Sequence, residues 1–419
     1  MEHENHDAAL SADAAGAETA VERGDDREPR DRRFMAAALR LACQIERRPW
    51  PNPPVGAVVV KDGRVVGSGA HQGAGTPHAE VHALAAAGSA AHGATLYCTL
   101  EPCNHTGRTP PCTEAILQHG IARVVAGIRD PNPEVTGEGL RYLAKQGVRT
   151  SVGVLGHEAC ELIWPFLVTQ AFSRPFVLLK TATTLDGRFT PGSPPPGHVG
   201  PRYLTGEEAR RDVHCQRRWM DLVLVGEGTL RSDRPRLDGR LAPDSTVGPI
   251  QDPLPGYVDS DLSWSEGWDQ ERYLVFTARS LDRPAVLAKL TANGARVIPC
   301  GTSAGRVDPR SLLDEAHRQG VHTLMVEGGP TLANAFLAAG VVDRWVHYIA
   351  PRFTGAGLQW PADGAGQQAA EFHLTSCRTL GGDVRLVYDR ESFASVAVQL
   401  TRSSAGNGVL EGSGECSPA

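Results

Sequence analysis

The sequence feature that most constrains this chain is a set of metal-binding side chains in its first third. His78 and Glu80 are separated by one residue, and Cys103 follows Pro102 further along, with Cys112 closing the set. One imidazole and two thiols are the usual protein ligands of a catalytic zinc ion that keeps its fourth position open for water. The chain therefore needs a fold in which separate segments converge on one point.

The ligand types and their spacing favour hydrolytic deamination. Zinc lowers the pKa of a bound water to roughly 7, which provides a strong nucleophile at neutral pH. Zinc deaminases carry H-x-E followed by P-C-x-x-C, and the glutamate is the general acid and base rather than a ligand. Glu80 fits that role. The second half of the pattern differs, because eight residues separate Cys103 from Cys112.

A structural zinc site is the main alternative interpretation. Structural sites normally have four protein ligands, and His105 is the candidate fourth. That interpretation leaves Glu80 without a role, so we expect a catalytic site. An odd total of nine cysteines does not indicate a disulfide framework. The seven outside the motif are interpreted as small apolar side chains: Cys43, Cys98, Cys160, Cys215, Cys300, Cys377 and Cys416.

Composition excludes several classes of protein. A chain of 419 residues favours two or more hydrophobic cores. Its net charge of -6 offers no basic surplus to neutralise phosphates, which argues against a nucleic-acid partner. No apolar run is long enough to cross a membrane, and the N-terminus lacks the basic and then apolar layout of a signal peptide. We therefore expect a cytoplasmic protein without a membrane partner.

The order of apolar and turn residues predicts two α/β domains between two tails. Residues 1–31 lack apolar periodicity and predict a disordered tail. Strands alternate with helices over 32–172, which predicts a layered zinc deaminase domain. A second domain is predicted over 173–392, and the Ser- and Gly-rich residues 393–419 predict a mobile tail.

Two local expectations accompany this division. Helical periodicity begins at Phe34 and predicts a first helix that ends near Pro49. The polar stretch 245–269 carries Pro, Gly and Trp, and we expect it to be an inserted surface loop.

Three segments of the first half resemble one family. They are the run at 51–60, the His-Ala-Glu-Val-His at 78–82 and the Glu-Pro-Cys-Asn-His-Thr-Gly-Arg-Thr-Pro-Pro-Cys at 101–112. Together they resemble the deaminase half of the bifunctional riboflavin biosynthesis deaminase/reductases, in which the long spacer between the cysteines is the norm. The resemblance implies a cytidine-deaminase-like domain and a small phosphorylated substrate, a diamino-hydroxy-phosphoribosylaminopyrimidine.

The resemblance also assigns residues near the metal. It implies that Asn52 contacts the base, although the sequence alone favours a turn residue at Asn52. His71 is ambiguous in the same way. Arg108 is expected to meet the substrate's phosphate or ring, and a solvated loop arginine is the alternative.

A second resemblance begins after residue 173. The Lys-x-x-x-Thr-Leu-Asp-Gly-Arg segment at 180–188 is similar to the opening of the reductase half, whose fold resembles dihydrofolate reductase. An apolar strand at 323–326 then runs into Glu-Gly-Gly-Pro-Thr before a predicted helix, and free amides at a helix start suit a phosphate. No G-x-G-x-x-G is present, which argues against a Rossmann domain. The resemblance implies NADPH as the second cofactor.

The reductase residues follow from the same resemblance. Lys180 is expected to polarise the opened sugar or to hold a phosphate. The residues assigned to NADPH are Ala182, Tyr203, Thr229, Asp233, Gly328, Gly329, Pro330 and Thr331. Those assigned to the substrate are Lys180, Arg217, Leu237, Arg240 and Glu327.

Two positions depart from the family's reductase pattern. Pro201 stands where a substrate-binding serine is usual, and Arg234 stands where a second aspartate is usual. These departures leave two alternatives to a bifunctional riboflavin enzyme. One is an active deaminase whose second half is only a ligand-binding or scaffolding module, and the other is a paralogue in a related pathway. The sequence does not fix the oligomeric state, and a homo-oligomer is compatible with it.

Overall fold

The computed structural model describes residues 24–44, 49–105, 110–131, 137–190, 203–240, 252–278, 283–359 and 371–390. Two separate main sheets organise these residues, one in each half of the chain. No helix in these ranges combines the length and the apolar character that a membrane crossing requires.

The first half forms a five-stranded sheet with the order β2-β1-β3-β4-β5. The strand β1 runs antiparallel to β2 and to β3, whereas β3, β4 and β5 are parallel. The elements are α1 (Gly24–Cys43), β1 (Gly56–Lys61), β2 (Arg64–Ala70), α2 (Ala79–Ala87), β3 (Thr95–Leu100), α3 (Cys112–Gln118), β4 (Arg123–Ile128), α4 (Glu138–Lys145), β5 (Arg149–Val152) and α5 (Gly156–Phe172), with a short 3-10 turn at Gly88–Ala91.

Two glycines set the position of α2, the helix that follows the first ligand. A Cβ atom on Gly67 would lie 2.2 Å from the carbonyl oxygen of Ala83, and one on Gly69 would lie 2.6 Å from that of Ala79. Only glycine permits so close a backbone approach. The helix α2 therefore lies directly on β2, and its first turn is fixed next to the end of the sheet.

The second half forms a nine-stranded sheet with the order β10-β9-β8-β7-β13-β6-β14-β16-β15. The seven strands from β10 to β14 in this order are parallel, and the last two are antiparallel. The elements are β6 (Phe176–Thr184), α6 (Glu207–Arg217), β7 (Leu222–Gly226), α7 (Glu227–Asp233), β8 (Leu254–Val258), β9 (Tyr273–Thr277), α8 (Pro284–Ala292), β10 (Ala295–Pro299), β11 (Thr302–Ser303), β12 (Arg306–Val307), α9 (Pro309–Arg318), β13 (Thr323–Glu327), α10 (Pro330–Ala338), β14 (Arg344–Ala350), β15 (Phe372–Leu380) and β16 (Asp383–Arg390).

The parallel strands explain where the second site lies. Strands buried on both faces read as apolar runs, as the fully buried β9 and β13 do. In an open parallel sheet, ligands bind in the crevice at the carboxyl ends of the strands. The loops after β6, β13, β7 and β8 meet at that edge, because these strands are neighbours in the sheet.

The first helix corrects the prediction for the N-terminal tail. α1 begins at Gly24 instead of near residue 34 and ends at Cys43. Asp31, inside the predicted tail, is buried, pairs with Arg123 of β4 at 2.9 and 2.6 Å and accepts a hydrogen bond from Tyr97 of β3 at 2.7 Å. A distant partner thus orders a polar stretch, and no local pattern reveals it. Residues 1–23 and 391–419 lie outside the described residues.

The prediction of a surface loop at 245–269 is wrong for residues 254–258, and residues 245–251 lie outside the described residues. β8 (Leu254–Val258) lies inside the parallel sheet between β7 and β9. Tyr257 is fully buried, stacks on Tyr273 with ring centroids 6.0 Å apart and meets Trp268 at 5.9 Å. Pro255 and Gly256, which are rare inside strands, conceal this element in the sequence.

The interpretation of the extra cysteines as buried is correct only in part. Cys98 and Cys160 are buried, whereas Cys43, Cys215 and Cys377 are exposed and Cys300 is intermediate. All six are free thiols. Cys416 lies outside the described residues.

Candidate active sites

Three segments bring the predicted metal ligands together. His78 directly precedes α2, Cys103 lies in the loop after β3, and Cys112 is the first residue of α3. The Nδ1 of His78 lies 3.2 Å from the Sγ of Cys112 and 3.5 Å from the Sγ of Cys103. The three ligand atoms all lie within 4.8 Å of one another. This arrangement is the convergence that the sequence motif requires.

The donor set fits a tetrahedral zinc ion. Zinc–sulfur and zinc–nitrogen bonds of roughly 2.3 and 2.0 Å place tetrahedral N and S ligands about 3.5 Å apart, which agrees with the observed distances. Among the described residues, His105 does not join the three ligands and is exposed. The structural-zinc alternative therefore loses its proposed fourth ligand.

The two thiols are electrostatically different. The hydrogen bond from the Cys112 thiol, followed by that with His78, lowers the pKa of the Cys103 thiol below its ordinary value. The same contact with Cys103 raises the pKa of Cys112, and the Cys112 backbone N–H donates to the Cys103 Sγ at 3.4 Å. Thiolate is the form that binds metal, so the loop already stabilises one ligand in that form.

Glu80 is placed for proton transfer. Its side chain is buried with 4% exposed, in the first turn of α2. Burial, followed by the charge of Cys103, raises the pKa of Glu80 to about 7. A carboxyl group with a pKa near the working pH both accepts and releases a proton readily. Glu80 thus lies beside the ligands, in hydrogen-bonding contact with the side chain of Cys112, without joining the group of three ligand atoms.

Glu101 is a supporting residue whose role the sequence analysis missed. Its buried carboxylate accepts hydrogen bonds from the backbone N–H groups of Asp130 at 3.1 Å, Gly137 at 2.8 Å and Leu140 at 3.0 Å. These bonds tie the loop after β3 to the start of α4. The available signal was an acidic residue directly before the Pro-Cys of the motif, which is costly to bury without partners.

Asn52 and His71 lie together next to the first ligand. The Asn52 Nδ2 is 3.1 Å from the His71 Nε2, and the rings of His71 and His78 meet edge to face with centroids 5.5 Å apart. Burial lowers the pKa of His71. His71 therefore contacts the ligand His78, and Asn52 lies beside His71. Arg108 lies outside the described residues.

The second half contains a cleft of about 1320 Å³ at the carboxyl edge of its parallel strands. All thirteen residues assigned to the second site from the sequence line it: Lys180, Ala182, Tyr203, Arg217, Thr229, Asp233, Leu237, Arg240, Glu327, Gly328, Gly329, Pro330 and Thr331. Ser260, Ser263 and Arg306 also line it. Ser260 and Ser263 were not predicted, because the segment around β8 was expected to be a surface loop, and no sequence motif marked Arg306.

A buried charge cluster lies at one end of this cleft. Arg217 of α6 donates from Nε to Glu327 Oε1 at 2.5 Å and from Nη2 to Oε2 at 3.0 Å, and Lys180 Nζ lies 3.9 Å from Glu327 Oε2. Burial alone would raise the pKa of Glu327, but the charge and hydrogen bonds of Arg217, with Lys180, lower it to about 2. Burial lowers the pKa of Lys180. Two cations facing one carboxylate leave net positive charge for an anionic or polarised ligand.

The glycine pair after β13 forms the middle of the cleft. Gly329 is the N-cap of α10 and Pro330 is its first residue, so free backbone N–H groups point out of the helix start. A Cβ atom on Gly328 would lie 3.6 Å from the backbone nitrogen of Gly226, which brings the loops after β13 and β7 close together. A helix N-terminus with free N–H groups favours the binding of a phosphate group.

The departure at Arg234 leaves the cleft intact. Asp233 and Pro235 on either side line the cleft, whereas the Arg234 backbone has a positive φ of 40° and its guanidinium pairs with Glu266 at 2.8 Å, 5.4 Å from the ring centre of Trp264. Its charge is therefore neutralised at the surface. Pro201 lies outside the described residues.

Tyr203 provides an aromatic wall for the cleft. Its ring is 52% exposed, and the guanidinium of Arg210 lies 4.8 Å from the ring centre. Arg210 also donates to the Thr205 carbonyl at 2.7 Å. An exposed aromatic ring held in this way is available for stacking on a planar ligand.

Comparison with known proteins gives matches to both halves. The family model for the cytidine and deoxycytidylate deaminase zinc-binding region matches residues 28–128, and that for the RibD C-terminal domain matches 175–386. The riboflavin biosynthesis protein RibD of Aquifex aeolicus is 40% identical over 330 residues, which cover 78% of this chain and 89% of the relative. RibD of Escherichia coli is 37% identical over 377 residues, which cover 85% and 98%.

Solved structures agree with these matches. Acinetobacter baumannii RibD, form 1, gives a TM-score of 0.72 at 31% identity and covers 86% of this chain and 99% of that one. A Thermotoga maritima diaminohydroxyphosphoribosylaminopyrimidine deaminase/5-amino-6-(5-phosphoribosylamino)uracil reductase gives 0.71 at 30%, with 87% and 99% covered. The predicted pair of a cytidine-deaminase-like and a dihydrofolate-reductase-like domain is confirmed, and zinc and NADPH are the cofactors that the two domains use. The chain therefore belongs to the RibD family of bifunctional riboflavin biosynthesis deaminase/reductases.

Proposed function

We propose that this chain deaminates a diaminohydroxyphosphoribosylaminopyrimidine and then reduces the ribosyl group of the deaminated product to ribityl with NADPH. The Thermotoga maritima relative carries these two activities in its name. The observation that carries the proposal is the convergence of His78, Cys103 and Cys112 beside buried Glu80. The reductase cleft in the same chain supports the second step.

In the deaminase site, the proposed roles follow from geometry. A bound zinc ion, held by His78, Cys103 and Cys112, would lower the pKa of a coordinated water to roughly 7 and so supply the nucleophile. Glu80 takes the proton of the attacking water and returns protons to the ring nitrogen and to the leaving ammonia. Its buried position beside the ligands suits both directions of transfer. Asn52 binds the pyrimidine.

In the reductase site, the chain positions two ligands against each other. NADPH supplies the hydride when it is bound. The amides around Gly328 and Gly329 hold its pyrophosphate at the start of α10, and Tyr203 stacks on a planar ring. Arg217, Lys180 and Glu327 bind the sugar phosphate side of the substrate, because they form the charged end of the cleft.

We also propose the partners, the location, the domain bounds and the oligomeric state of the protein. The net charge of -6 supports a chain without a nucleic-acid partner, and we propose a cytoplasmic location. The predicted boundary between residues 172 and 173 is supported by the gap between α5 and β6, and the first domain includes α1 from Gly24. A homo-oligomer is compatible with these assignments.

Simultaneous measurement of ammonia release and NADPH oxidation tests the proposal. The zinc-loaded full chain, supplied with the diamino substrate and NADPH, is expected to release ammonia first and to oxidise NADPH after a lag. Ammonia release without NADPH oxidation, even with the deaminated substrate, would remove the reductase from the proposal. If the chain shows neither ammonia release nor NADPH oxidation with this substrate, the result would indicate a role in a related pathway.

A further inference from the structure

A relay of hydrogen bonds connects the metal-binding segment to Asn52. The ring of His71, just after β2, is buried with 3% exposed. Its Nδ1 lies 3.3 Å from the carbonyl oxygen of Pro77, and its Nε2 lies 3.1 Å from the Nδ2 of Asn52. Because Pro77 directly precedes the ligand His78, the relay runs from the ligand's own peptide to the amide of Asn52.

Only one arrangement of protons satisfies both contacts of an uncharged ring. A peptide carbonyl oxygen can only accept, so the His71 Nδ1 must carry the proton. The Nε2 then has a lone pair and accepts. Asn52 must present its NH2 group to His71, because the reversed amide would set its oxygen against that lone pair at 3.1 Å. The Oδ1 of Asn52 is thereby turned away from His71 and left as an acceptor.

We propose that His71 is a positioning residue that fixes the amide of Asn52, so that the Asn52 Oδ1 accepts a hydrogen bond from an N–H group of the pyrimidine. His71 acts through Asn52 and does not touch the substrate. The backbone of His71 is fixed by the hydrogen bond from its N–H to Val55 O at 2.9 Å, and its ring packs edge to face against His78. This inference rests on the proposed deamination and narrows the role expected of His71.

The tautomer of His71 is the direct readout. Long-range ¹H–¹⁵N correlation spectra of the zinc-loaded full chain, labelled with ¹⁵N-histidine, distinguish the two neutral tautomers and the imidazolium. We expect the Nδ1–H tautomer for the signal that disappears in His71→Gln. An Nε2–H tautomer, or an imidazolium at neutral pH, would overturn the relay whatever the activity of the chain.

A double-mutant cycle on ammonia release tests whether His71 acts through Asn52. Asn52→Ala and His71→Ala are each expected to lower kcat/KM by roughly tenfold or more, and the double variant is expected to resemble Asn52→Ala. If kcat/KM of the double variant falls by the product of the two single-variant factors, Asn52 and His71 act independently, and the inference is overturned. So does an Asn52→Ala variant with full activity. Failure of the unaltered chain to release ammonia is a separate result, and it contradicts the proposed function.

The variants His71→Ala and His71→Gln distinguish a positioning role of His71 from a role in folding. Zinc content and thermal unfolding of each variant report on the fold, and His71→Gln keeps an acceptor near Asn52 if His71→Ala loses zinc. We expect His71→Gln to retain most of the activity; loss of activity equal to that of Asn52→Ala, with zinc bound, would overturn the relay.

His119 is a matched control, because its Nδ1 also contacts a carbonyl, that of Ala115, at 2.8 Å. His119→Ala should leave kcat/KM unchanged, and an equal loss there would refute a specific role for His71.

Discussion

Replacement of Glu327 by glutamine removes the only carboxylate described between Arg217 and Lys180 at the end of the reductase cleft. The fall in the pKa of Glu327 from 4.5 to about 2 corresponds to about 3 kcal/mol in favour of the charged, folded form, at about 1.4 kcal/mol for each tenfold change. The Glu327 side chain is only 9% exposed, so solvent screens little of this energy. We expect Glu327→Gln to lower the free energy of unfolding by about 3 kcal/mol at pH 7.

The pH dependence of this loss has a definite sign. Because the pKa is lower in the folded state, the stabilisation is present above pH 4.5 and is lost as the pH falls towards 2. The difference between the native chain and Glu327→Gln should therefore be constant from pH 7 to about 5 and shrink below that, with roughly half remaining near pH 3. Urea denaturation followed by tryptophan fluorescence, repeated over this pH range, measures it.

Glu266→Gln is the matched control for the same substitution. Glu266 pairs with Arg234 at 2.8 Å, but both side chains are more than 60% exposed, and exposed pairs contribute about 0–1 kcal/mol. A Glu327→Gln variant no less stable than Glu266→Gln at pH 7 would refute the electrostatic reasoning. NADPH oxidation should also be lost in Glu327→Gln and kept in Glu266→Gln.

Three further perturbations test the first domain. Gly69→Val should lower zinc occupancy, measured by metal analysis, because a Cβ there would lie 2.6 Å from the Ala79 carbonyl oxygen and push α2 away from β2; full occupancy would contradict the close approach. Asp31→Asn should cost about 2 kcal/mol in urea denaturation, since it removes the carboxylate that pairs with the half-buried Arg123 at two points, and a loss below about 1 kcal/mol would refute this. Glu101→Ala should release backbone N–H groups and weaken zinc retention against a chelator; unchanged retention would show that the loop does not depend on Glu101.

The zinc site was predictable because its chemistry is encoded locally. The ligand types, their order and the acidic neighbour Glu80 together indicate a zinc deaminase site. The helices that begin at Ala79 and Cys112 place His78, Glu80 and Cys112 as expected. Strands rich in β-branched residues, such as Gly56–Lys61, were equally visible. The family resemblance gave the residues of the second cleft, which the structure brings to one edge of the sheet.

What the sequence did not reveal depends on distant partners. The first turns of α1 are polar, and Asp31 is ordered by Arg123 of β4. β8 contains Pro255 and Gly256, and only its place between two parallel strands makes it a strand. The position of Ser260 in the cleft follows from that strand and was missed with it.

Glu80→Gln, assayed for both activities, tests the central claim most directly. The variant keeps all three zinc ligands, so metal analysis should show zinc bound. We predict that it releases no ammonia from the diamino substrate and oxidises no NADPH with it, yet oxidises NADPH at the native rate when the deaminated substrate is supplied. Ammonia release by the zinc-loaded variant would contradict the role of Glu80, and loss of NADPH oxidation with the deaminated substrate would contradict two separate sites.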